Sequence, residues 1–510
     1  MPINEYKSSF EKKIIKEVLM IYKADWSVLI YDKKVGEMML NLFAKSELNE
    51  YSISEAFLIN IEKPNWDFPA IYFISGIKEN YNYINTEFEE KKFNKYYVII
   101  IDIIDDPRYL NSLIKTKILY CNIRVEEERV FTGNIEKCIQ TMEFLLDTKF
   151  NIYIMPCLNN IPIHYSKTDK NDCVSDFLIL DRSFDLFTPL IHFFTFKSIL
   201  YEMYPNEAIL NDGSQLYKDI RYKHIAEIND ILQYNISKLN QNMDKLNKNL
   251  STSELSKMVL EAPENMKLKE SIEKYSNYLN DAFTKLEYLQ KTLSDDVKFN
   301  SLIESELILA TGIKDGKKVQ IDLSSLFDIL ASAQLQTPDK IRLLYLIKFR
   351  GVNLTVTEQN ILKQSGFSAN DIDVKLNLEN KYQCVTELDY KYEISRFIPY
   401  LHSIIRDYSQ EDFKSFLIKI NNLESDSQQN KTIQSLRKSS MITVKKKESY
   451  RKKLVIYILN GITPEECKIV NDLSISLGID IILGSNNILR PQDVVPMIKT
   501  NYKIILNDKE

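Results

Sequence analysis

The stretch that decides the fold is KLVIYILNG, Lys453–Gly461, an apolar, β-branched run near the end of a long chain. A second such run, IDIILGS at Ile479–Ser485, follows after one helical segment. Two buried parallel strands do not make a stable sheet alone. The nearest incomplete sheet is predicted upstream, where NIYIMPCL (Asn151–Leu158) and DFLILD (Asp176–Asp181) have the same short apolar character. We therefore expect the late strands to complete that upstream sheet.

The segment between these two parts of one sheet has a helical pattern. From about residue 220 to residue 346 strand signals are lacking, and apolar side chains recur at steps of three and four residues. Within SIEKYSNYLNDAFTKLEYLQKTL the recurring positions are Ile272, Tyr275, Leu279, Phe283 and Leu286. This spacing predicts one apolar stripe on an amphipathic helix. The helical section is thus predicted to be an insertion that divides the second α/β domain.

The amino-terminal part predicts a separate α/β domain. WSVLIYD (Trp26–Asp32), PAIYFIS (Pro69–Ser75) and YYVIIIDIID (Tyr96–Asp105) are buried strands separated by polar, helix-like segments. The predicted fold class is α/β plus α, with two parallel-sheet domains, the second discontinuous, and a large helical insertion. The predicted boundaries are 1–135 for the first domain, 136–245 and 451–510 for the two parts of the second, and 246–450 for the helical domain, with a flexible excursion at 424–453.

Composition narrows the class of protein. The chain has 510 residues, of which 44% are hydrophobic and 27% charged, a mixture typical of a soluble globular protein. Its net charge of −5 argues against a nucleic-acid partner, which usually requires a basic surplus. The start of the chain lacks a signal-peptide pattern, and the sequence has no apolar window of membrane-spanning length. We expect a cytoplasmic protein that reaches membranes only through partners.

The most tempting catalytic group is in FLILDRSFDLFTPL, Phe177–Leu190, where Asp181, Arg182 and Asp185 follow a strand. Carboxyl ends of parallel strands often line active sites, so a hydrolase or transferase at Asp181 and Asp185 is the alternative function. The chain has no nucleotide-binding glycine motif, no nucleophile elbow and no paired metal-binding histidines. A structural ion cluster at the strand end is therefore the favoured interpretation. No cofactor, metal or catalytic residue is predicted.

A second candidate is a surface for a helical partner. Pro263 interrupts a helical pattern in LEAPENMKLKE, and Met266 and Leu268 lie just after it. A proline at this place bends a helix or joins two. The pattern predicts a long helical hairpin with apolar residues near its tip, which is a suitable cradle for an amphipathic helix. Ordinary packing inside the helical domain is the competing interpretation.

Several stretches in a fixed order resemble the SM proteins, the Sec-one/Munc-eighteen-like regulators of SNARE-mediated vesicle fusion. The similarity extends from about Phe10 to Lys499. WSVLIYD is similar to the family's first strand, and KLVIYILNGITPEE with IILGSNNILRPQDVV resembles its last two. The other matching stretches are FPAIYFISGIKENYNYI, FLILDRSFDLFTPLIHFFTFKSILYEMYP, LYKDIRYKHIAEIND and ISRFIPYLHSIIRD.

The resemblance implies a three-domain arch and a non-enzymatic function, namely binding a syntaxin-type SNARE and assembled SNARE helices. It also implies a monomer that is peripheral at membranes through its SNARE partners. By motif, Asp32 and its neighbours after the first strand are on the SNARE-binding side of the first domain. The implied contacts on the helical hairpin are Pro263, Met266, Leu268, Ile272 and Leu279. An outer pocket for an amino-terminal syntaxin peptide is implied near Leu110, Ile123, Val125 and Glu127.

One departure from the family pattern lies just after the first strand. Exocytic members have basic residues there, whereas this sequence has Gly36 and Glu37. The sequence leaves open the trafficking step, the cognate SNARE, the use of the peptide pocket and the conformation of the hairpin. A plain scaffold without SNARE preference also stays possible on sequence grounds.

Overall fold

The structure is a computed structural model that divides the chain into two compact units. One unit holds the described residues of Met1–Ile179, Phe416–Leu459 and Ile479–Asn486, and the other those of Leu180–Ser415, Asn460–Gly478 and Asn487–Glu510. The residues that the structure describes are 26–39, 48–49, 51–103, 105–119, 123–146, 148–158, 173–204, 214–245, 252–291, 293, 301–314, 317–319, 323–332, 334–372, 385–386, 397–409, 417–419 and 453–501.

The first unit contains a parallel sheet whose described strands pair in the order β2-β1-β3-β4-β5. Its strands are β1 (Ser27–Tyr31), β2 (Ile53–Leu58), β3 (Pro69–Gly76), β4 (Lys95–Ile103) and β5 (Lys115–Leu119). Helices α1 (Lys33–Met39) and α2 (Lys78–Glu89) follow β1 and β3. The predicted strands β1, β3 and β4 are confirmed. The sequence did not reveal β2 and β5, because these edge strands have one interior neighbour and carry charged residues between apolar ones.

The same unit contains a second sheet, whose described strands have the order β14-β8-β9-β15-β16-β7-β6. Pairing is parallel for β8–β9, β15–β16 and β16–β7, and antiparallel for β14–β8 and β6–β7. The prediction that the two late strands complete an upstream sheet is therefore confirmed. The strands are β6 (Ile123–Glu127), β7 (Val130–Gly133), β8 (Lys149–Ile154), β9 (Cys173–Asp181), β14 (Ile418–Lys419), β15 (Lys453–Leu459) and β16 (Asp480–Ser485).

The late strand β16 requires a glycine where it passes under an aromatic ring. A Cβ atom at Gly484 would lie 2.0 Å from Cζ of Phe131 on the paired strand β7. The absence of a side chain thus lets the two strands approach. Helix α3 (Ile135–Leu146) follows β7 and buries Ile139 and Met142 in the same core as Phe131. This core joins residues of both sheets of the first unit.

The position of β6 and β7 differs from the sequence expectation. The predicted first domain runs to residue 135, yet both strands pair in the second sheet, next to β16. The hairpin β6–β7 lies at the end of the described strand order, where charged side chains are tolerated. Its sequence, IRVEEERVFTG, is therefore rich in charges and resembles a connection more than a buried strand. The other boundaries stay predictions. Of the predicted excursion at 424–453, residues 424–452 lie outside the described residues, and Lys453 begins β15.

The second unit is built mainly of helices. They are α4 (Phe196–Met203), α5 (Gln215–Ile220), α6 (Ile225–Lys245), α7 (Thr252–Gln290), α8 (Leu302–Thr311), α9 (Leu323–Ala331), α10 (Thr337–Phe349), α11 (Val356–Gln364), α12 (Ala369–Ile372), α13 (Leu401–Ser409), α14 (Pro464–Leu477) and α15 (Pro491–Asn501). Two short antiparallel pairs accompany them, β10 (Ile313–Lys314) with β11 (Lys317–Lys318) and β12 (Val385–Thr386) with β13 (Phe397–Ile398).

The start of α14 follows from local sequence. Thr463 is the N-cap residue, Pro464 is at the first helical position, and Glu466 completes a capping box, as its sequence predicts. At the start of α10 the N-cap residue is Gln336, and Thr337 and Pro338 take the first helical positions. Thr337 already has helical geometry, so its hydroxyl does not cap the helix. Both helices nevertheless begin at the proline-containing signals that the sequence contains.

Candidate functional site

Asp32 lies at the carboxyl end of β1, and its side chain holds that end of the sheet together. It is only 7% exposed. Oδ1 accepts a hydrogen bond from the Val35 amide at 2.9 Å, which caps α1. Oδ2 accepts from the Ser75 amide at 2.6 Å and from Nδ2 of Asn80 at 3.0 Å, which ties β1 to β3 and α2. Asp32 therefore acts on the surface indirectly, by positioning α1, and does not present its carboxylate to a partner.

The first turn of α1 presents lysine to solvent. Lys33 follows Asp32 directly and is exposed. Of the two positions at which the sequence departs from the family pattern, Gly36 has a packing reason, because a Cβ atom there would lie 2.9 Å from Cε2 of Tyr31. Lys33 is a neighbour of Asp32 within the predicted region, and it places a basic group at the start of the helix.

The long helix α7 runs through Pro263 without a break. Its helical assignment is continuous from Thr252 to Gln290, with Pro263 inside it. Pro263 therefore does not join two separate helices, and the alternative expectation, a bend of the helix at this proline, stays a prediction. Proline has no backbone N–H group, so one hydrogen bond of the helix is missing at this position. Because Pro263 is exposed, the carbonyl group that lacks this bond is open to water. Helix α7 packs against α6, and the connection between them falls at residues 246–251, which lie outside the described part of the chain.

Most of the predicted apolar stripe of α7 is buried in the unit's own core. Ile272, Tyr275 and Leu279 pack with side chains of α4, α5 and α6. Phe283 was predicted to belong to the stripe, but it is 38% exposed, and its neighbour Ala282 faces the core instead. Ile272 and Leu279 were predicted to contact a SNARE, and the structure places them inside instead. The physical reason is that the three- and four-residue spacing marks a packing face without saying what covers it. Here the covering elements belong to the chain itself.

The accessible part of α7 is its amino-terminal half. Met266 is 65% exposed, Pro263 is exposed and Leu268 is half-buried against the core. Most other side chains from Ala262 to Glu270 are exposed as well. Three of the predicted hairpin residues therefore lie on a helix segment with open sides, while the other two anchor the helix behind it.

The carboxyl-terminal half of α7 is fixed by buried charges, which we call the Arg342 cluster. Lys285 of α7 pairs with Glu202 of α4 at 2.8 Å, and His192 contacts Glu202 at 3.2 Å. Tyr288 of α7 donates to Asp339 of α10 at 2.8 Å. The members of the cluster are His192, Glu202, Lys285, Glu306, Asp339 and Arg342. Three cationic or protonatable groups thus face three carboxylates.

His192 is charged in this setting. Burial alone would lower its pKa, but the carboxylates of Glu202 and Glu306 outweigh burial and raise the pKa of His192 to about 9. Burial likewise works against the charged Glu306 carboxyl, yet Arg342 at 2.7 Å and His192 at 3.0 Å lower its pKa. Glu202 is close to His192 along the chain, but Glu306 and Arg342 are more than one hundred residues away. No local pattern could have revealed these two distant partners.

Asp181, Arg182 and Asp185 are brought together with a fourth residue, Glu466, in what we call the Arg182 cluster. Arg182 is fully buried, with Nη1 2.8 Å from Oε1 of Glu466 and Nε donating to the Asp185 carbonyl at 2.9 Å. The Asp185 carboxylate accepts from the amides of Phe187, Thr188 and Tyr400. Asp181 accepts from the Ser183 amide at 2.9 Å and caps a short 3-10 helix. These contacts describe a turn held by charge.

The predicted peptide-pocket residues fall on two different sheets. Leu110 is buried in the core on the α2 side of the first sheet. Ile123, Val125 and Glu127 belong to β6 of the second sheet, and of these side chains only that of Glu127 is described, as buried. The peptide pocket stays a prediction.

A comparison with protein-family models supplies the identity of the fold. The model described as Sec1: Sec1 family matches residues 157–496. The chain belongs to the Sec1 family. The matched range includes α7, the Arg342 cluster and the Arg182 cluster, so these features lie within the Sec1-family region.

Individual relatives and solved structures agree with this membership. The chain is 21% identical over 574 residues to protein transport protein sec1 of Schizosaccharomyces pombe, which covers 92% of this chain and 81% of that one. The Unc18–syntaxin 1 complex from Monosiga brevicollis has a TM-score of 0.68 at 16% identity, covering 97% and 99% of the two chains. The SM protein Vps45 in complex with the Qa SNARE Tlg2 has a TM-score of 0.67 at 12% identity, covering 98% of each.

The described part of this Sec1-family chain contains neither a metal-binding cluster nor a membrane-spanning helix. Among the described residues, His, Cys, Asp and Glu side chains form no group of three or more with metal-binding geometry. None of the described helices combines the length and the apolar character that crossing a membrane requires.

Proposed function

We propose that this chain regulates SNARE-mediated vesicle fusion by binding a syntaxin-type SNARE and assembled SNARE helices. Membership of the Sec1 family supports the proposal, as do fold relatives whose structures contain syntaxin 1 or the Qa SNARE Tlg2. The observation that carries the proposal is that the two halves of α7 differ in how far their apolar side chains are exposed to solvent. One half of the helix is locked in the core, and the other half exposes Met266 on a segment with open sides.

The exposed half of α7 suits a helical partner. An amphipathic helix binds through apolar anchors spaced along one face, and it gains most from a rigid platform. Met266 is flexible and polarizable, which lets it fit irregular apolar partners. Leu268, half-buried against the core, extends the apolar contact toward the anchored half of the helix. We therefore assign Pro263, Met266 and Leu268 to the partner contact, and Ile272 and Leu279 to its support.

A second contact is proposed at the start of α1. Lys33 is exposed beside the carboxyl end of β1 and offers a positive charge to an acidic partner surface. Asp32 supports this contact by capping the helix that carries Lys33. The assignment keeps the predicted region, Asp32 and its neighbours, and names Lys33 as the charged contact within it.

The proposal is a binding regulator rather than a hydrolase or transferase. The carboxylate of Asp185 is occupied by backbone amides, and that of Glu466 by Arg182 and the Thr463 amide. Groups so fully used for folding are poor general bases, because each proton transfer would break a buried hydrogen bond. We place the protein at the cytoplasmic face of membranes through its SNARE partners, and the three-domain division stays a prediction.

Binding to purified cytosolic regions of syntaxin-type SNAREs from the source organism tests the proposal. Met266→Glu is expected to weaken capture about tenfold, or about 1.4 kcal/mol, because it places a charge in an apolar contact. Its unfolding midpoint should stay that of the wild type, since Met266 is exposed. Val356→Glu on α11 is the matched control, because Val356 is equally open to solvent but far along the chain from α7. Equal SNARE capture by wild type and Met266→Glu would contradict this surface.

Leu279→Arg and Lys33→Glu separate support from contact. Leu279→Arg is expected to unfold the helical unit, because it buries a charge among apolar side chains. Lys33→Glu is expected to reduce the association rate several-fold at low salt and little at high salt, as a rim charge does. A folded Leu279→Arg variant that loses only SNARE binding would restore the original assignment of that residue.

A further inference from the structure

A cleft of about 950 Å³ opens at the amino ends of β3, β4 and β5, and lysines and aromatic rings line it. Its charged lining consists of Lys91, Lys92, Lys95, Lys115 and Asp67. This positive excess runs against the whole chain, whose net charge is −5. We propose that the cleft binds an acidic peptide segment that carries an aromatic or aliphatic side chain.

The floor of the cleft is aromatic and already fixed. The Tyr96 hydroxyl donates to the Glu87 carbonyl at 2.6 Å and accepts from the Phe93 amide at 3.0 Å. The Tyr96 ring has its centroid 5.1 Å from that of Phe88 and 5.9 Å from that of Phe93, both edge to face. A floor held in this way needs little ordering when a ligand binds, which favours affinity.

The lysines are not all explained by the fold. Lys91 and Lys92 follow the end of α2, where positive charge complements the helix dipole. Lys95 begins β4 and Lys115 begins β5, so the dipole does not account for them. Lys92 pairs with Glu90 at 3.1 Å, but within the described part of the chain neither Lys91 nor Lys95 has an ion-pair partner. Two charges at the cleft are thus available to a ligand.

Lys91 is held in a backbone conformation that suits glycine. Its φ is +56°, the left-handed region, directly after the C-cap residue Glu90. Glycine is the usual residue at this position because it adopts positive φ without steric cost. The chain instead keeps a lysine there, and the lysine side chain lines the cleft. Compared with glycine, lysine at this position adds a positive charge to the lining of the cleft.

The shape of the cleft favours a peptide over a membrane surface. A bilayer is flat and meets protruding side chains, whereas these lysines surround a concave space within the usual size range of ligand pockets. Leu113 is 79% exposed and lines the cleft near Lys115, and half-buried Trp66 lies in the same lining. An acidic segment with an apolar side chain would pair with the lysines and cover Leu113 and Trp66 together.

This inference goes beyond the proposed SNARE contact and does not depend on it. Asp32, which supports the contact at α1, lies at the carboxyl end of β1, whereas the cleft lies at the amino ends of the parallel strands of the same sheet. Variants at one end therefore leave the other intact.

Trp66 makes the cleft directly observable. The chain has two tryptophans, and Trp26→Phe leaves Trp66 as the sole reporter in the full chain. Titration with the peptide EEFLEE is expected to give a saturable change in fluorescence that weakens with added salt. The peptide QQFLQQ should bind at least about tenfold more weakly, because it lacks the charges. Equal responses to the two peptides would overturn the proposal.

Charge variants locate the binding. Lys91→Glu/Lys95→Glu is expected to lose about tenfold or more in affinity for EEFLEE, while the matched control Lys317→Glu/Lys318→Glu, exposed in the other unit, binds as the wild type does. Lys91→Gly should weaken binding and raise the unfolding midpoint, since it removes a charge and relieves the backbone. Unchanged affinity in the double variant would overturn the proposal, as would cosedimentation with phosphatidylserine vesicles without peptide binding.

Discussion

Two buried ion clusters in the helical unit differ in their balance of charge. In the Arg182 cluster one guanidinium faces the carboxylates of Glu466, at 2.8 Å, and Asp185, at 3.9 Å. In the Arg342 cluster three cationic groups face three carboxylates. Burial raises the pKa of Glu466 in spite of Arg182, whereas arginine and histidine lower the pKa of Glu306 in spite of burial. The buried carboxyl group with the lowered pKa thus lies in the cluster that has as many cationic groups as carboxylates.

The largest expected effect comes from removing the centre of the balanced cluster. Arg342→Leu leaves Glu306 and Asp339 buried without their main partner, and it should lower the free energy of unfolding by about 3–5 kcal/mol. Urea denaturation measures the loss. Arg406→Leu on α13, where the arginine is exposed, is the control and should change stability by under about 0.5 kcal/mol. Similar losses in the two variants would show that the cluster is not a net source of stability.

Removing the guanidinium of the unbalanced cluster should cost somewhat less. Arg182→Met is expected to lower stability by about 3 kcal/mol at pH 8, because Glu466 and Asp185 remain buried. The deficit should shrink as the pH falls toward 5. A buried acid with a raised pKa binds a proton in the folded state first, so acidification stabilises the fold. A deficit that is constant from pH 8 to pH 5 would break the contrast between the clusters.

His192 should make stability fall in mild alkali. Its pKa is raised from 6.5 to about 9, so its contribution is fully present below 6.5 and is lost as the pH rises through 9. The loss between pH 7 and pH 10 is expected to be about 2–3 kcal/mol, read from thermal or urea unfolding. His192→Gln is the matched variant, since it keeps a polar side chain but does not titrate. An identical pH profile in that variant would assign the alkaline loss to other groups.

The smallest effect is expected at the helix cap that shares Glu466. Thr463→Ala removes the hydroxyl that accepts from the Glu466 amide at 3.3 Å, and it should cost about 1 kcal/mol of stability. Urea unfolding beside Arg182→Met sharpens the comparison. A loss as large as that of Arg182→Met would mean that the cap, rather than the arginine, holds Glu466 in place.

Much of the fold was readable from the sequence because its strands are locally marked. KLVIYIL at Lys453–Leu459 is apolar throughout, since β15 has neighbours on both sides and is covered on both faces. Edge strands such as β2 carry charges, and they were missed. Glu306 and Arg342, two partners of His192, were also beyond prediction, because ion pairs between distant segments leave no spacing signal. The sheet order therefore followed from local patterns, while the charge clusters did not.

The candidate site was predicted less well, and for a physical reason. An apolar stripe shows that Ile272 and Leu279 are covered, but the covering side chains come from α4, α5 and α6. An aspartate at the end of a strand, such as Asp32, indicates a position with a structural or functional role. Its carboxylate oxygens accept hydrogen bonds from backbone amides, and the exposed side chain next to it is that of Lys33. Met266 is exposed, so its predicted contact with a SNARE stays a prediction that the fold allows. Exposure of this kind is a property of the folded chain.

The placement of β15 between β9 and β16 has a consequence for how this protein is made. Until Lys453 and the residues after it leave the ribosome, β9 has an open edge on one side. At usual elongation rates the synthesis from Asp181 to Lys453 takes roughly tens of seconds. Throughout that time a nascent chain offers an unpaired apolar strand to other chains and to chaperones. Synthesis of β15 and β16, rather than emergence of the upstream strands, is what closes the second sheet.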